Sequence, residues 1–246
     1  MATAVVESRV IAKGASRTSD HLFFGTMSGL IALIVFIGFA RTYYLAGTFG
    51  AKPLAAPIVH VHAAVFTCWI AMLVAQTSLV GVGRTNIHRR LGLLGLGLAP
   101  LVVILGVVVA FEMLNRFAPV RSVDSPLIFA VALSEIAGFA VPVYFGFRLR
   151  RQSLMHKRLI MIGTIAMMTA GFGRWPVSFL LHRPLPAMLA AFTLLVLLIV
   201  FDVKSTGRVH RATVLGATWV VFIELSGFAI GHTAAWHALA AQLVRR

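Results

Sequence analysis

The chain has 246 residues, 59% of them hydrophobic and only 12% charged, with a mean hydropathy of +0.93. An ordinary soluble domain carries about 25% charged residues, so this composition excludes a single water-soluble core as the setting for most of these side chains. The formal charge of +15 would point to nucleic acid on a soluble domain. Here the Lys and Arg residues cluster in short loops between apolar runs, where they set membrane topology. Nucleic acid is therefore excluded as a partner, and a lipid bilayer with anionic head groups is expected.

In chain order, Met1–Ser19 is polar to mixed, with Arg9, Lys13 and Arg17 but no short apolar region ending in a cleavage site. It reads as a cytoplasmic tail (1–20) ahead of an uncleaved anchor. Residues 21–243 then hold seven apolar runs: His21–Leu45, Ala56–Val82, His88–Met113, Pro126–Phe147, Met155–Leu181, Pro184–Phe201 and Val209–Leu243, the last with an interfacial tail. A helix rises 1.5 Å per residue, so about 20 apolar residues cross a hydrocarbon core of about 30 Å. The expected fold is all-α, one integral membrane bundle of seven transmembrane helices. Single Cys68 rules out an intrachain disulfide and a cysteine-based zinc site.

Fourteen Lys and Arg residues fall in the N-terminal tail and the loops after runs two, four and six, against seven on the other side; Arg174 lies inside a run. This bias predicts a cytoplasmic N-terminus and an outside C-terminus in a bacterial inner membrane. Runs three, five and seven begin on the basic side with His followed by a cation: His88-Arg89-Arg90, His156-Lys157-Arg158 and His210-Arg211. A glycine follows about two turns on, at Gly95, Gly163 and Gly216. The pattern reads as one anchor helix followed by three hairpins.

Two layers of polar residues are candidate sites. The inner layer is His88, His156 and His210, with His21 at the start of the first run. Neutral imidazole is the commonest metal ligand, so histidines from separate helices are candidate ligands of a transition metal or of a haem iron. The adjacent cations suit anionic groups such as propionates or lipid phosphates. In the outer layer, His60 and His62 are two residues apart, about 200° around a helix. His60 shares a face with Ala63, Ala64, Thr67 and Cys68, small residues that predict a helix–helix contact, and His62 shares the bulkier face of Phe66, Trp69 and Leu73. His60 is therefore expected to point inward. Glu135, Arg174 and Glu224 lie within apolar runs, where ionisable residues mark functional sites by default. Arg174–Glu224 is the expected pair, with His60, Arg41 or His232 nearby. Gly227 and Gly231 form a close-packing Gly-x-x-x-Gly. Asp202, beside Lys204, is expected to be a solvated interface charge.

The run His88-Arg89-Arg90-Leu91-Gly92, followed two spans later by His156-Lys157-Arg158-Leu159 and Arg174, resembles a pattern seen in uncharacterised bacterial multi-pass membrane families. The paired intramembrane histidines are similar to those of cytochrome b561-type haem proteins. That resemblance implies haem b in a redox role, with His60 or His232 for the outer ligand pair, while the residues themselves leave haem or a transition metal at His60, His62, His88, His156 or His210 open. The polar cluster of Arg41, Glu135, Arg174, Glu224 and His232 supports a different expectation, a transporter or channel-like protein. A third is a non-catalytic assembly subunit with a membrane-protein partner or a second copy. Whether the protein is an enzyme stays open, and no substrate follows from the residues.

Overall fold

The structure, a computed structural model, describes residues 2–50, 56–120 and 123–244, and of residues 2–17 the backbone alone. Lys52, Arg121, Arg245 and Arg246, and the side chains of Arg9, Lys13 and Arg17, all used in the orientation count, lie outside the described residues.

The described elements are helical. α1 (Ala2–Phe39) runs into a π-helical turn, Ala40–Tyr44, and is followed by α2 (Pro57–Gly81), α3 (Thr85–Phe117) and α4 (Ser125–Arg148). Then come α5 (Ser153–Ala166), α6 (Met168–Phe172), α7 (Pro184–Thr206), α8 (Arg211–Gly231) and α9 (Ala234–Leu243). The ends follow local chemistry. Proline opens α2, α4 and α7 within the first two positions, where its missing N–H is not needed. The Asp124 carboxylate accepts from Leu127 N at 3.0 Å, a side-chain cap on the first turn of α4. Gly207, at φ 73°, stops α7 in the left-handed conformation glycine tolerates.

Six helices are long and apolar enough to cross a membrane: Thr18–Tyr44, α2, α3, α4, α7 and α8. Large apolar side chains face outward along them, among them Leu93 and Ile104 on α3, Val196 on α7 and Phe222 on α8. A belt of this kind needs lipid, so this is a multi-pass membrane protein.

The six long helices close into a ring in the order α1, α2, α3, α4, α8, α7, and α5–α6 occupies its centre, touching α1, α4, α7 and α8. Every side chain from Met161 to Thr169 is buried. The fifth run is thus central, as its small-residue face implies, but it is not one helix to Leu181. It breaks at Met167, whose N–H bonds back to Thr164 at 3.2 Å, and helix ends at Phe172. Gly171, Gly173 and Pro176 explain the early stop: the glycines weaken the helix, and proline disfavours helical backbone before it. Arg174 therefore lies in the turns after α6, not within a helix.

Glycines set the closest contacts around this centre. A Cβ on Gly38 of α1 would sit 2.3 Å from the Gly171 carbonyl oxygen, and one on Gly227 of α8 would sit 2.4 Å from Ser134 Cβ on α4. Gly231 meets Leu127 in the same way, so the Gly-x-x-x-Gly of α8 seats it on α4. Gly95, Gly163 and Gly216, the glycines of the three-fold pattern, are all buried.

Candidate functional site: two polar layers across an apolar centre

For orientation, the end of the bundle carrying the α4–α5 and α7–α8 turns is called the basic end. Near the opposite end, three helices and the turn after α6 deliver four ionisable side chains to one region. His62 lies five residues into α2, about 7.5 Å from its start, and Glu135 ten residues into α4, about 15 Å from its start. Glu224 lies seven residues, about 10 Å, before the end of α8, and Arg174 follows α6. Arg174 is within electrostatic range of Glu135 and of His62, and Glu135 is within range of Glu224.

These groups are incompletely satisfied. Glu224 is 2% exposed. Its Oε2 accepts a long 3.4 Å bond from Thr169 Oγ1, while Oε1 is buried with no partner among the described residues. Gly138 makes room for it: a Cβ there would lie 3.6 Å from Oε1. The His62 imidazole lies beside the Leu105 carbonyl, yet its Nδ1 is buried without a well-formed hydrogen bond. Arg174 donates from Nη1 to the Ala170 carbonyl at 2.7 Å, and its guanidinium lies 4.6 Å over the Phe39 ring. Arg174 is exposed as a residue, so the cluster borders the surface at this end of the bundle.

Two expectations change here. The charge in range of Arg174 is Glu135 rather than Glu224. His62, not His60, faces the protein: His60 is exposed, 6.1 Å from the Tyr43 ring. The small residues Ala64 and Cys68 are exposed with His60, whereas Trp69 and Leu73 on the His62 face are buried. Trp69 reaches the central helix, donating to Thr164 Oγ1 at 3.1 Å. Bulky side chains span the gap from the ring to α5, which reverses the small-residue rule used for this helix. The contacts shown for Arg41 and His232 are with other residues. Arg41 is exposed over Phe49, and exposed His232 bonds through Nδ1 to the Phe228 carbonyl at 2.8 Å.

Toward the basic end, the inner histidines separate. His88 and His156 meet, ring centroids 6.3 Å apart at 77°. His156 Nδ1 bonds to the Gly146 carbonyl at 2.8 Å, and His88 Nδ1 is buried without a partner among the described residues. His210 instead caps α8, its Nδ1 accepting from Ala212 N at 3.1 Å. Burial, and after it the Arg158 guanidinium, hold His210 below the usual imidazole pKa. His21 is exposed. Among the described residues, no three His, Cys, Asp or Glu side chains converge as a metal site. A three-histidine metal centre therefore does not fit the geometry, and His88–His156 is the pair left for a two-ligand iron.

The strongest polar contacts at this end involve residues read from sequence as topology charges. Arg158 is 2% exposed and Asp202 0%, so Asp202 is not a solvated charge. Arg158 Nε and Nη2 both donate to Asp202 Oδ1, at 3.0 and 2.5 Å. Asp202 Oδ2 accepts from His210 N at 3.0 Å and from Thr213 Oγ1 at 2.5 Å. One carboxylate thus ties α5, α7 and α8. Lys157 adds α1 through Asp20 at 2.5 Å. Thr213 and Glu224 are eleven residues apart on α8, about 16 Å. Buried Ala217 and Val220 lie between them, facing Ile162 and Ile165 of α5 in one apolar core. Along α8 the two polar layers are separated by an apolar stretch.

Comparison with family models, curated proteins and solved structures finds no match for this chain. Fold and site together define a multi-pass helical membrane protein with an under-bonded ionisable cluster inside it.

Proposed function

We propose that the protein is a transporter-type membrane protein of seven crossings, with α5–α6 as the fifth, and that His62, Glu135, Arg174 and Glu224 form its proton-handling site. The observation that carries this reading is the buried Glu224 Oε1, without a partner among the described residues, in range of a second carboxylate, Glu135, which is in turn in range of the Arg174 guanidinium. An unsatisfied polar atom in apolar surroundings costs about 1–3 kcal/mol, so a purely structural cluster would be expected to close its bonds. Carboxylates and histidines in this setting are the residue types of proton relays, and a broken helix lining a polar cavity is the usual form of a transport site. The 14-to-7 bias of cations in the sequence supports a cytoplasmic basic end. The apolar layer then represents a closed state.

Dicyclohexylcarbodiimide adds to carboxyl groups in apolar surroundings and tests the reading. It is expected to label the peptide containing Glu224 and to block proton uptake by proteoliposomes. Unlabelled Glu224 with uninhibited uptake would overturn it.

A second reading rests on His88 and His156. His156 is oriented through Nδ1 by the Gly146 carbonyl, which leaves its other ring nitrogen available, and it and His88 would be the residues to hold a haem iron. A bound haem would supply one-electron chemistry. A Soret band in purified protein, lost in His156→Ala, supports this reading; a colourless preparation without stoichiometric metal sinks it.

A further inference from the structure

The turn between α4 and α5 holds Arg148, Arg150 and Arg151, which line a hollow of about 280 Å³. Among the described residues no ion pair joins any of the three to a carboxylate. Leu149, between the first two arginines, lines a second hollow, an apolar groove of about 240 Å³ between α4, α5 and α8. Met155 and Leu159 form its floor beside Leu149, Ala212 and Gly216 its α8 wall, and Trp219 its far end. The Trp219 indole N–H is already bonded to the Ala137 carbonyl at 3.2 Å, so the ring offers the groove only apolar surface. Two hollows of opposite character therefore adjoin at one turn. The basic one lies at the polar boundary of the bundle, and the apolar one runs from it along the lipid-facing side. Arg211, next in the chain to the groove residue Ala212, is exposed.

We propose that this pair of hollows is a binding site for one anionic phospholipid, its phosphate held by Arg148, Arg150 and Arg151 and an acyl chain lying in the groove toward Trp219. Guanidinium groups bind phosphate oxygens through paired N–H donors. Basic pockets between membrane helices recognise anionic head groups, and the charge is what selects such a lipid over a zwitterionic one. The groove is too apolar for a free anion, and the arginine hollow is wrong for an uncharged chain. Their adjacency fits a molecule that carries both. The inference stands apart from the proton-handling reading, because none of its residues belongs to the outer cluster.

Native mass spectrometry of the full chain in detergent, with phosphatidylglycerol or phosphatidylcholine added, tests it. Wild type is expected to retain one phosphatidylglycerol with about tenfold preference over phosphatidylcholine. The variant R148Q/R150Q/R151Q is expected to lose that preference, and R84Q/R89Q/R90Q, which removes equal charge elsewhere, to keep it. Equal loss in both variants would mean bulk charge and overturn the site. Equal retention of the two lipids would leave only an apolar groove, and complete displacement of phosphatidylglycerol by inorganic phosphate would leave only an anion site. Either result overturns the proposal. In a second measurement, independent of the arginine variants, phosphatidylglycerol with brominated chains quenches wild-type fluorescence more than brominated phosphatidylcholine does. The difference is expected to vanish in Trp219→Phe; a difference that persists there places the chain elsewhere and overturns the assignment.

Discussion

Arg158 and Asp202, 44 positions apart, form a two-pronged ion pair in the interior of the bundle, and the second oxygen of the same carboxylate holds the start of α8. Removing either partner strands a buried charge, which costs about 3–5 kcal/mol. Arg158→Leu and Asp202→Asn are each expected to lower stability by that order, read from denaturation in mixed micelles. The double variant Arg158→Leu/Asp202→Asn should recover a large part of the loss. Additive losses in the double variant would show that the two residues do not act as a pair.

His210 gives the same region a pH dependence. Its folded-state pKa lies below the usual imidazole value of 6.5, and its Nδ1 must stay unprotonated to accept from Ala212 N. The unfolded chain therefore binds more protons below about pH 6.5, so this contribution to stability is fully present above that pH and is lost as pH falls through and below it. His210→Asn keeps a capping side chain without a titrating ring and is expected to flatten this part of the stability–pH curve. An unchanged curve would assign the dependence to other groups.

The Gly38–Gly171 contact predicts a selective cost. Gly38→Ala places a methyl against backbone that cannot move aside locally, a change of about 1–3 kcal/mol. Gly25→Ala, on the same helix with nothing within 4 Å of the added carbon, is expected to be neutral or slightly stabilising. Equal thermal shifts for the two would show that α1 does not approach α6 as described.

Cys68 is exposed near the middle of α2, a position that faces hydrocarbon in a bilayer. A membrane-impermeant maleimide is expected to label about a tenth or less of it in intact vesicles and nearly all of it in SDS, since thiol reactivity follows access. Full labelling in vesicles would place this face of α2 in water.

The membrane architecture was legible because spans announce themselves as apolar runs of about 20 residues, and Glu135 and Glu224 stood out by depth alone. The rest depended on neighbours the sequence does not order. Arg158 and Asp202 look like topology charges until the turn into α8 carries Thr213 over the carboxylate. The facing of His60 and His62 runs against the sequence pattern because small residues mark a contact only where helices approach closely. α2 instead reaches the central helix through Trp69, leaving its small-residue face outward. The break at Met167 has no glycine or proline of its own. It became visible only through the Thr164 back-bond, with the Gly171–Gly173–Pro176 stop following a turn later.

The outer cluster is the centre of the account, and potential-driven proton uptake measures it most directly. Wild type and Glu224→Gln are reconstituted at equal density in vesicles carrying an internal pH dye, and valinomycin imposes the potential. If Glu224 belongs to a proton relay, wild type takes up protons and Glu224→Gln falls by about tenfold or more, while His60→Ala, on the lipid-facing side, stays at the wild-type rate. Wild-type vesicles no faster than protein-free ones, or a Glu224→Gln rate equal to wild type, would contradict it.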